Sequence, residues 1–284
     1  VTVLSRLPFA PLLDVGKSID GLTVEKIMHE SERSQVYLVK TPDGKNLVMK
    51  TPSVNYEDDP AYIERFVQES WIGARISNRH IVRVVEPPQP RSCLYYLTEY
   101  IPGPTLSQVI KERAPLEVSD AVELAEQLVT GIRALHRKDT LHQDLKPDNV
   151  VLGTQGACLI DFGSCWVAGI QEMGSAITPD HILGTLDYSA PEYRYGGRTG
   201  PRSDQFSIAV LVYEMLTGKR PYGEAYGKAM ALNQFQKLSY RSALQYNPLV
   251  PIWLDRALEK ALQIQPAQRY DALSEWLKDL QRPN

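Results

Sequence analysis

The sequence predicts an α+β protein, arranged as one domain of two lobes or as two small domains. Two observations carry this prediction. Short runs that alternate apolar and polar residues dominate the first hundred residues, and long amphipathic stretches dominate the remainder. The pattern changes at Pro102-Gly103-Pro104. We therefore expect a tail or linker over residues 1–20, a first lobe over residues 21–101 and a second lobe over residues 102–284.

The first lobe is expected to contain strands and a single helix. Five strands are predicted, over residues 22–28, 35–40, 46–51, 81–85 and 94–100. The turn Pro42-Asp43-Gly44 predicts a hairpin between the second and third strands. Prolines within residues 87–90 predict a rigid connection between the last two. Residues 60–77 carry apolar side chains at helical spacing and predict the helix.

The second lobe is expected to be helical. Four amphipathic helices are predicted, over residues 118–136, 203–217, 253–264 and 272–280. Gly218 and Pro221 supply a stop after the second of these. No internal repeat or low-complexity segment is present, so the sequence does not predict a solenoid or a long linker.

Composition excludes several classes of function. The chain has 31 Lys and Arg against 34 Asp and Glu, a formal net charge of -3, so no global positive field favours a nucleic-acid partner. The longest apolar run, residues 206–216, is shorter than the ~20 residues that cross a bilayer, so no membrane segment is expected within this chain. Three cysteines without metal-ligand spacing suggest a reducing, cytoplasmic setting. The opening on Val1 rather than Met suggests a piece of a longer protein.

One stretch of the second lobe carries the strongest chemical signal. It reads His142-Gln143-Asp144-Leu145-Lys146-Pro147-Asp148-Asn149, and Asp161-Phe162-Gly163 follows, twelve positions after Asn149. Four polar residue types at fixed offsets, followed by this second motif, are not expected by chance. The sequence here resembles the eukaryotic-like serine/threonine protein kinases of bacteria, whose catalytic and metal-binding loops have this form.

Distant positions fit the same family in the order that it requires. Val48-Met49-Lys50 ends a predicted strand as the Val-Ala-Ile-Lys strand of the family does. Glu69, nineteen residues later on the predicted helix, fits the ion-pair partner of that lysine.

Further matches lie in the second lobe. Gly184-Thr185 and Ala190-Pro191-Glu192 resemble the end of an activation segment, and Asp204 and Arg269 fit structural positions, the arginine as partner of Glu192. The resemblance covers about residues 21–281. It implies the two-lobed protein kinase fold, in which a small antiparallel sheet with one main helix precedes a larger, mainly helical lobe.

The resemblance also implies the chemistry, which is transfer of the γ-phosphate of Mg-ATP to protein hydroxyls, autophosphorylation included. Lys50 is expected to meet the α and β phosphates while Glu69 fixes its direction. Asp144 is expected to orient the substrate hydroxyl and accept its proton. Lys146 is expected to stabilise the transferred phosphate, and its spacing from Asp144 is that of the serine/threonine subclass.

Metal and adenine sites follow from the same resemblance. Asn149 and Asp161 offer hard oxygen ligands for Mg²⁺, with Mn²⁺ as the alternative ion. The residues expected to bind the nucleotide are Val36, Val48, Lys50, Thr98, Glu99, Ile101 and Val151. Of these, Thr98 aligns with the gatekeeper, and Glu99 and Ile101 with the hinge whose backbone binds adenine.

The sequence departs from the family at the loop over the phosphates. The three positions that usually hold glycine hold His29, Ser31 and Ser34, whose side chains hinder close approach of the backbone to phosphate. We expect either weak affinity for ATP or a loop held by the serine hydroxyls. This departure keeps an alternative open, that of a pseudokinase scaffold that binds nucleotide weakly and acts through partner contacts.

Two more departures concern regulation. Gln143 replaces an arginine that pairs with an activation-segment phosphate, so phosphorylation of Ser164, Ser175 or Thr178 is not expected to be the main switch. Gly73, four residues after Glu69, leaves little side chain where the family packs an apolar group, which predicts a mobile helix.

Two further expectations concern the class of substrate and the rest of the protein. A small-molecule kinase of the aminoglycoside phosphotransferase kind shares the His-x-Asp and Asn pattern, although Asp-Phe-Gly, Ala-Pro-Glu and Arg269 favour a protein kinase. Similar bacterial domains are sometimes fused to a PP2C-type phosphatase, so a fused or partner phosphatase domain is a weak expectation.

Overall fold

The structure is a computed structural model that describes residues 3–167 and 186–282. The chain divides into two compact units. The first comprises Val1–Pro102 with Asp161–Gly163, and the second comprises Gly103–Ile160 with Ser164–Asn284. The first unit contains a six-stranded sheet, one long α-helix and two short 3-10 turns, and the second contains the other α-helices of the described residues. The predicted α+β class is therefore confirmed.

The sheet of the first unit is antiparallel throughout. Its strands are β1 (Ser18–Ile19), β2 (Leu22–Glu30), β3 (Ser34–Lys40), β4 (Asn46–Pro52), β5 (Val84–Val85) and β6 (Tyr96–Glu99). They lie in the order β1-β2-β3-β4-β6-β5. Tyr37, Met49 and Leu97 fill one face with other buried apolar side chains. Val36, Val48 and Lys50 alternate with these residues along their strands, so they lie on the opposite face, where they are less deeply buried.

Helix α1 (Pro60–Arg75) follows β4 and is capped at its first turn. The side chain of Asp59 accepts hydrogen bonds from the backbone amides of Ala61 and Tyr62, at 3.0 and 3.1 Å. Pro60 occupies the first helical position, where the missing amide hydrogen costs nothing. The buried face of α1 includes Phe66 and also carries Glu69.

Residues 4–13, called the N-terminal strap below, pack against the first unit. Leu4, Leu7 and Phe9 lie against the buried cluster formed by Phe66, Val67, Leu94 and Tyr96. The backbone amide of Leu94 donates a hydrogen bond to the carbonyl of Pro8 at 2.8 Å. The sequence predicts a tail here because Pro8 and Pro11 interrupt the apolar pattern, but the apolar residues between the prolines are used in packing.

The second unit is built around a buried helix. Its helices are α2 (Leu106–Arg113), α3 (Val118–His136), α4 (Glu192–Tyr195), α5 (Pro201–Thr217), α6 (Ala225–Lys228), α7 (Leu232–Phe235), α8 (Ile252–Ala261) and α9 (Leu273–Leu280). Helix α5 is buried on nearly all sides, as expected for the centre of a helical lobe. Two strand pairs complete the unit, β7 (Thr140–Leu141) with β10 (Trp166–Val167), and β8 (Val150–Gly153) with β9 (Gly156–Leu159).

The predicted elements differ from the observed ones mainly at their ends. Helix α3 spans the predicted residues, whereas the strand predicted over residues 81–85 is reduced to Val84–Val85. Ile81 and Val82 are buried, so their apolar character reflects packing and not strand pairing. Within the described parts of the chain, none of the helices combines the length and the apolar character needed to cross a bilayer.

Candidate active site

In the first unit, Lys50 has three other predicted site residues around it, which are Val36, Glu69 and Asp161. Strand register places Lys50 of β4 beside Val36 of β3 and beside Tyr96 of β6. Lys50 Nζ lies 2.8 Å from Glu69 Oε2 and 3.8 Å from Asp161 Oδ1. The hydroxyl of Tyr96 donates a second hydrogen bond to Glu69 Oε2, also at 2.8 Å. A buried lysine is thus balanced by two carboxylates, one of which is held by a tyrosine.

Burial and charge act in opposite directions in this cluster. Burial opposes the charge of Lys50, yet the carboxylates of Asp161 and Glu69 raise the pKa of the ammonium group well above its usual value. Burial raises the pKa of Glu69, and the hydrogen bonds from Lys50 and Tyr96 limit that rise. Burial and the neighbouring Glu69 also raise the pKa of Tyr96. Lys50 is therefore a cation at neutral pH, and the hydroxyl of Tyr96 is a protonated donor.

Gly73 of α1 does not leave the empty space that the sequence suggests. A Cβ atom at this position would lie 2.4 Å from Val84 Cγ2 and 3.1 Å from Phe162 Cε2. Phe162 is almost fully buried. The volume that a larger helix side chain would fill is already occupied by Val84 and Phe162. The prediction of a mobile helix assumed loose packing at Gly73, and this assumption is wrong because Val84 and Phe162 pack tightly there.

The turn between β2 and β3 is closed by a serine hydroxyl. Ser31 Oγ donates to the carbonyl of Ser34 at 3.0 Å and accepts from the backbone amides of Arg33 and Ser34, at 3.3 and 3.1 Å. Such side-chain to backbone bonds stabilise turns without glycine. The expectation that serine hydroxyls hold this loop is confirmed for Ser31. His29 belongs to β2 and pairs with Val36.

Three of the residues predicted to bind adenine lie on neighbouring inner strands of the sheet, with Val36 on β3, Val48 on β4 and Thr98 on β6. Val48 of β4 is the cross-strand partner of Thr98 of β6. The backbone amide of Glu99 donates to the carbonyl of Arg83, and Glu99 Oε1 accepts from the amide of Arg83, both at 3.0 Å. These bonds fix the start of the segment that leads to Ile101, which is half-buried.

The second unit arranges the predicted catalytic loop. The side-chain amide of Asn149 donates to the carbonyl of Asp144 at 3.0 Å and lies 3.4 Å from Asp144 Oδ2. Lys146 Nζ lies 3.8 Å from the same Asp144 oxygen. A short 3-10 turn (Pro147–Asn149) leads from this loop into β8, whose second residue is the buried Val151. The three polar residues of the loop are therefore brought together within this unit.

Asp204 of α5 holds the start of this loop through hydrogen bonds to its backbone. Its carboxylate accepts hydrogen bonds from the backbone amides of His142 and Gln143, at 2.9 and 3.0 Å, and lies 2.8 Å from His136 Nε2. Burial opposes ionisation, but the interactions with His136 and His142 hold the pKa of Asp204 below its ordinary value. Gln143 adopts a left-handed backbone conformation with φ 69°. The amides of His142 and Gln143 both donate to the Asp204 carboxylate, and these two bonds explain how the uncommon conformation of Gln143 is maintained.

The predicted ion pair of the second unit is confirmed. Arg269 donates from both terminal nitrogens to the carboxylate of Glu192, at 2.8 and 2.9 Å. Ser203 Oγ also donates to Glu192, at 2.7 Å. Both charged side chains are fully buried, so these hydrogen bonds compensate for the loss of hydration. Gly184, Thr185, Ser175 and Thr178, which the sequence singles out in the activation segment, lie outside the described residues.

The donor chemistry of the predicted metal ligands fits Mg²⁺. Because the amide nitrogen of Asn149 is directed at Asp144, its oxygen is the end of the side chain that remains as a ligand. Asp161 adds a carboxylate, whose Oδ1 accepts from the amide of Gly163 at 2.8 Å. Carboxylate and amide oxygens are the ligands that Mg²⁺ prefers.

Sequence reasoning did not single out two tyrosines at this site. Tyr96 lies in the run of apolar and aromatic residues 94–97, and its hydroxyl bond to Glu69 depends on strand register. Tyr62 lies one turn into α1, and its hydroxyl donates to the carbonyl of Arg33 in the β2–β3 turn. The only sequence signal for Tyr96 is its parity with Thr98, which places the two side chains on one face of the strand.

Comparisons with known proteins agree with this arrangement. The family model described as "Protein kinase domain" matches residues 23–279. A probable serine/threonine-protein kinase of Thermomonospora curvata, PkwA, is 34% identical over 188 residues, which is 66% of this chain and 25% of that protein. A probable serine/threonine-protein kinase of Lactococcus lactis, PknB, is 30% identical over 239 residues, 84% of this chain and 38% of that protein.

A third relative, the serine/threonine-protein kinase PrkC of Bacillus subtilis, is 26% identical over 269 residues, 94% of this chain and 41% of that protein. The chain thus spans between a quarter and about two fifths of the length of these curated relatives. The family match runs from β2 of the first unit to α9 of the second and includes every predicted site residue. The chain belongs to the protein kinase domain family.

Proposed function

We propose that this chain is the catalytic domain of a serine/threonine protein kinase that transfers the γ-phosphoryl group of Mg-ATP to protein hydroxyls. The observation that carries the proposal is the buried pair of Lys50 and Glu69, at 2.8 Å, with Asp161 nearby. A buried lysine between two carboxylates is costly for stability alone, and such arrangements are typical of functional sites.

In the first unit, Lys50 would bind the α and β phosphates through its ammonium group. Glu69 would hold the lysine in one direction, so that little of its rotamer freedom remains to be lost when the nucleotide binds. Val36 and Val48 would enclose the adenine ring, with Thr98 as the gatekeeper. Backbone groups of Glu99 and Ile101 would bind its polar edge, and the assignment of Val151 to nucleotide binding stays a prediction of the sequence.

In the second unit, Asp144 would orient the attacking hydroxyl of the substrate and accept its proton. The amide of Asn149 restricts the position of Asp144, because it donates to both the backbone and the side chain of that residue. Lys146, at 3.8 Å from the Asp144 carboxylate, would balance the negative charge that develops on the transferred phosphoryl group.

Asn149 and Asp161 stay the predicted ligands of Mg²⁺, or of Mn²⁺ as the alternative ion. When bound, Mg-ATP supplies the γ-phosphoryl group and a cation that neutralises part of its charge. Since the metal brings the strongest local positive charge, replacement of either ligand should affect nucleotide binding more in the presence of metal than in its absence.

Protein substrates and ATP are the partners that this function requires. Autophosphorylation, a cytoplasmic setting and a fused or partner phosphatase domain stay predictions of the sequence. A scaffold that lacks transfer activity is less well supported, because the full set of catalytic polar residues is retained and the β2–β3 turn is ordered by Ser31.

The test is phosphate transfer from labelled ATP with Mg²⁺ or Mn²⁺ to a generic basic protein and to the chain itself. We expect label on serine or threonine with the wild type and its loss in Asp144→Asn. Asp139→Asn is the matched control: it makes the same change of charge at an exposed residue just before β7, where the left-handed backbone suits asparagine.

Other outcomes would overturn the proposal in distinct ways. Nucleotide binding without transfer would indicate the scaffold. Transfer to an aminoglycoside but to no protein would indicate a small-molecule kinase. Label on tyrosine alone would contradict the serine/threonine assignment.

A further inference from the structure

We propose that Tyr96 is a positioning residue, whose hydroxyl holds Glu69 in the orientation in which it directs Lys50. This inference rests on the proposed function, because it assigns Tyr96 a part in phosphate binding through two other residues. Tyr96 itself is not proposed to touch the nucleotide.

Strand register supports the assignment. Tyr96 of β6 is the cross-strand partner of Lys50 of β4 in an antiparallel pair. Directly paired residues share a face of the sheet and have Cβ atoms about 5 Å apart. The hydroxyl of Tyr96 and the ammonium group of Lys50 both reach one oxygen, Glu69 Oε2, at 2.8 Å each. Two donors from neighbouring strands therefore fix one carboxylate oxygen on the helix.

Burial gives the tyrosine bond its importance. Tyr96 is 4% exposed and Glu69 is 8% exposed, so water does not readily replace a lost donor. Lys50 has a second carboxylate partner, Asp161, at 3.8 Å. Without the tyrosine hydroxyl, the buried carboxylate of Glu69 would keep Lys50 as its remaining donor among the described contacts. Glu69 Oε2 would then be fixed by one donor instead of two, so the direction that it imposes on Lys50 would be less well defined.

Apolar neighbours that do not belong to the charged group around Lys50 fix the position of the Tyr96 ring. The ring of Tyr96 lies 5.4 Å from the ring of Phe66 of α1, centroid to centroid. Leu4, Leu7 and Phe9 of the N-terminal strap pack against the cluster that contains both rings. A ring held on several sides presents its hydroxyl in one place, which is what a positioning residue requires.

The neighbouring residue provides a matched control. Tyr95 directly precedes β6, is 1% exposed, packs in the other buried cluster of the first unit, and donates its hydroxyl to Asp20 Oδ2 at 2.9 Å. Tyr95→Phe therefore removes the same atom and a similar carboxylate bond without touching Glu69. Any loss of stability common to both tyrosine variants is separated in this way from a loss of positioning.

The experiment compares binding of ADP and adenosine by calorimetry, in the presence of Mg²⁺, to the wild type, Tyr96→Phe and Tyr95→Phe. Adenosine lacks the phosphates that Lys50 is proposed to meet. We expect Tyr96→Phe to weaken ADP binding by about tenfold or more, the effect of one hydrogen bond to a charged group, and to leave adenosine binding within about twofold. Tyr95→Phe should leave both affinities within about twofold, although both variants lower the unfolding midpoint.

Each other outcome is decisive. Equal losses for ADP and adenosine in Tyr96→Phe would show a merely structural role and overturn the inference. Unchanged ADP binding in Tyr96→Phe would overturn it while the proposed function stands. A wild type that binds neither ligand would overturn the proposed nucleotide use and the inference that rests on it, before any variant is considered.

Discussion

The hydroxyl of Tyr62 on α1 donates a hydrogen bond to the backbone carbonyl of Arg33 in the turn between β2 and β3. The same carbonyl accepts from the backbone amide of Ser53 at 2.9 Å. The ring of Tyr62 stacks on Tyr56 at 4.5 Å, and the guanidinium of Arg33 lies 5.4 Å from the centre of the Tyr56 ring. The helix that carries Glu69 is thus joined directly to the turn that lacks the glycines of the family.

Tyr62→Phe is expected to loosen this turn. The carbonyl of Arg33 loses one donor while the ring stack remains, so the KM for ATP should rise about threefold and the free energy of unfolding should fall by about 1 kcal/mol. Steady-state kinetics and urea unfolding measure the two effects. Tyr56→Phe keeps the stack and the bond to Arg33, and serves as the control. An equal rise in KM in both variants would contradict the role given to the Tyr62 hydroxyl.

Gly73→Ala is expected to destabilise the first unit. The new methyl group would approach Val84 Cγ2 to 2.4 Å, and overpacking of this kind costs about 1–3 kcal/mol, partly offset by the higher helix propensity of alanine. Val84→Ala removes the methyl group that clashes. In a double-mutant cycle of urea unfolding, the two changes should therefore couple favourably by about 1 kcal/mol. Simple additivity of the two effects would show that Val84 does not limit the space at Gly73.

Asp204→Asn is expected to change how stability depends on pH. The pKa of Asp204 in the folded protein lies below its ordinary value of 3.8, so the protonated form binds more weakly to its partners. The stability it contributes is present above that ordinary value and is lost as the pH falls through the lowered pKa. Urea midpoints between about pH 5 and pH 3 should fall less steeply in the variant than in the wild type. A slope as steep as that of the wild type would contradict the assignment.

Substitution of the candidate phosphorylation sites is expected to leave most of the transfer activity. Gln143 offers no cation for an activation-segment phosphate, and its backbone is held by Asp204 without one. The triple variant Ser164→Ala, Ser175→Ala and Thr178→Ala should therefore keep its rate within about tenfold of the wild type. A larger loss that acidic replacements restore would show that phosphorylation is the main switch.

The sequence was sufficient where local pattern and structure coincide. Helix α3 was predicted to the residue because its apolar spacing and its surroundings agree. The spacing between Lys50 and Glu69 sufficed to name both residues, which the structure places in contact. The pairing of Glu192 with Arg269 followed from the family resemblance in the same way.

The rest depends on which side chains tertiary packing brings together. The volume beside Gly73 is supplied by Val84 and Phe162, which lie on other segments and leave no signal in the helix itself. The strand predicted over residues 81–85 is longer than the observed one because Ile81 and Val82 are buried by packing and do not pair in the sheet. Tyr96 reads as one more apolar strand residue until register places it opposite Lys50.

The N-terminal strap has a thermodynamic consequence. Its side chains cover Phe66 and Tyr96, so release of the strap would expose the neighbours of Glu69 and, given the role proposed for Tyr96, would leave Lys50 less firmly directed. Any ligand that favours a directed Lys50 must then favour the docked strap. A second molecule that binds only the undocked strap would lower the affinity of the protein for the first ligand. By linkage, the first ligand would lower the affinity for the second molecule by the same factor.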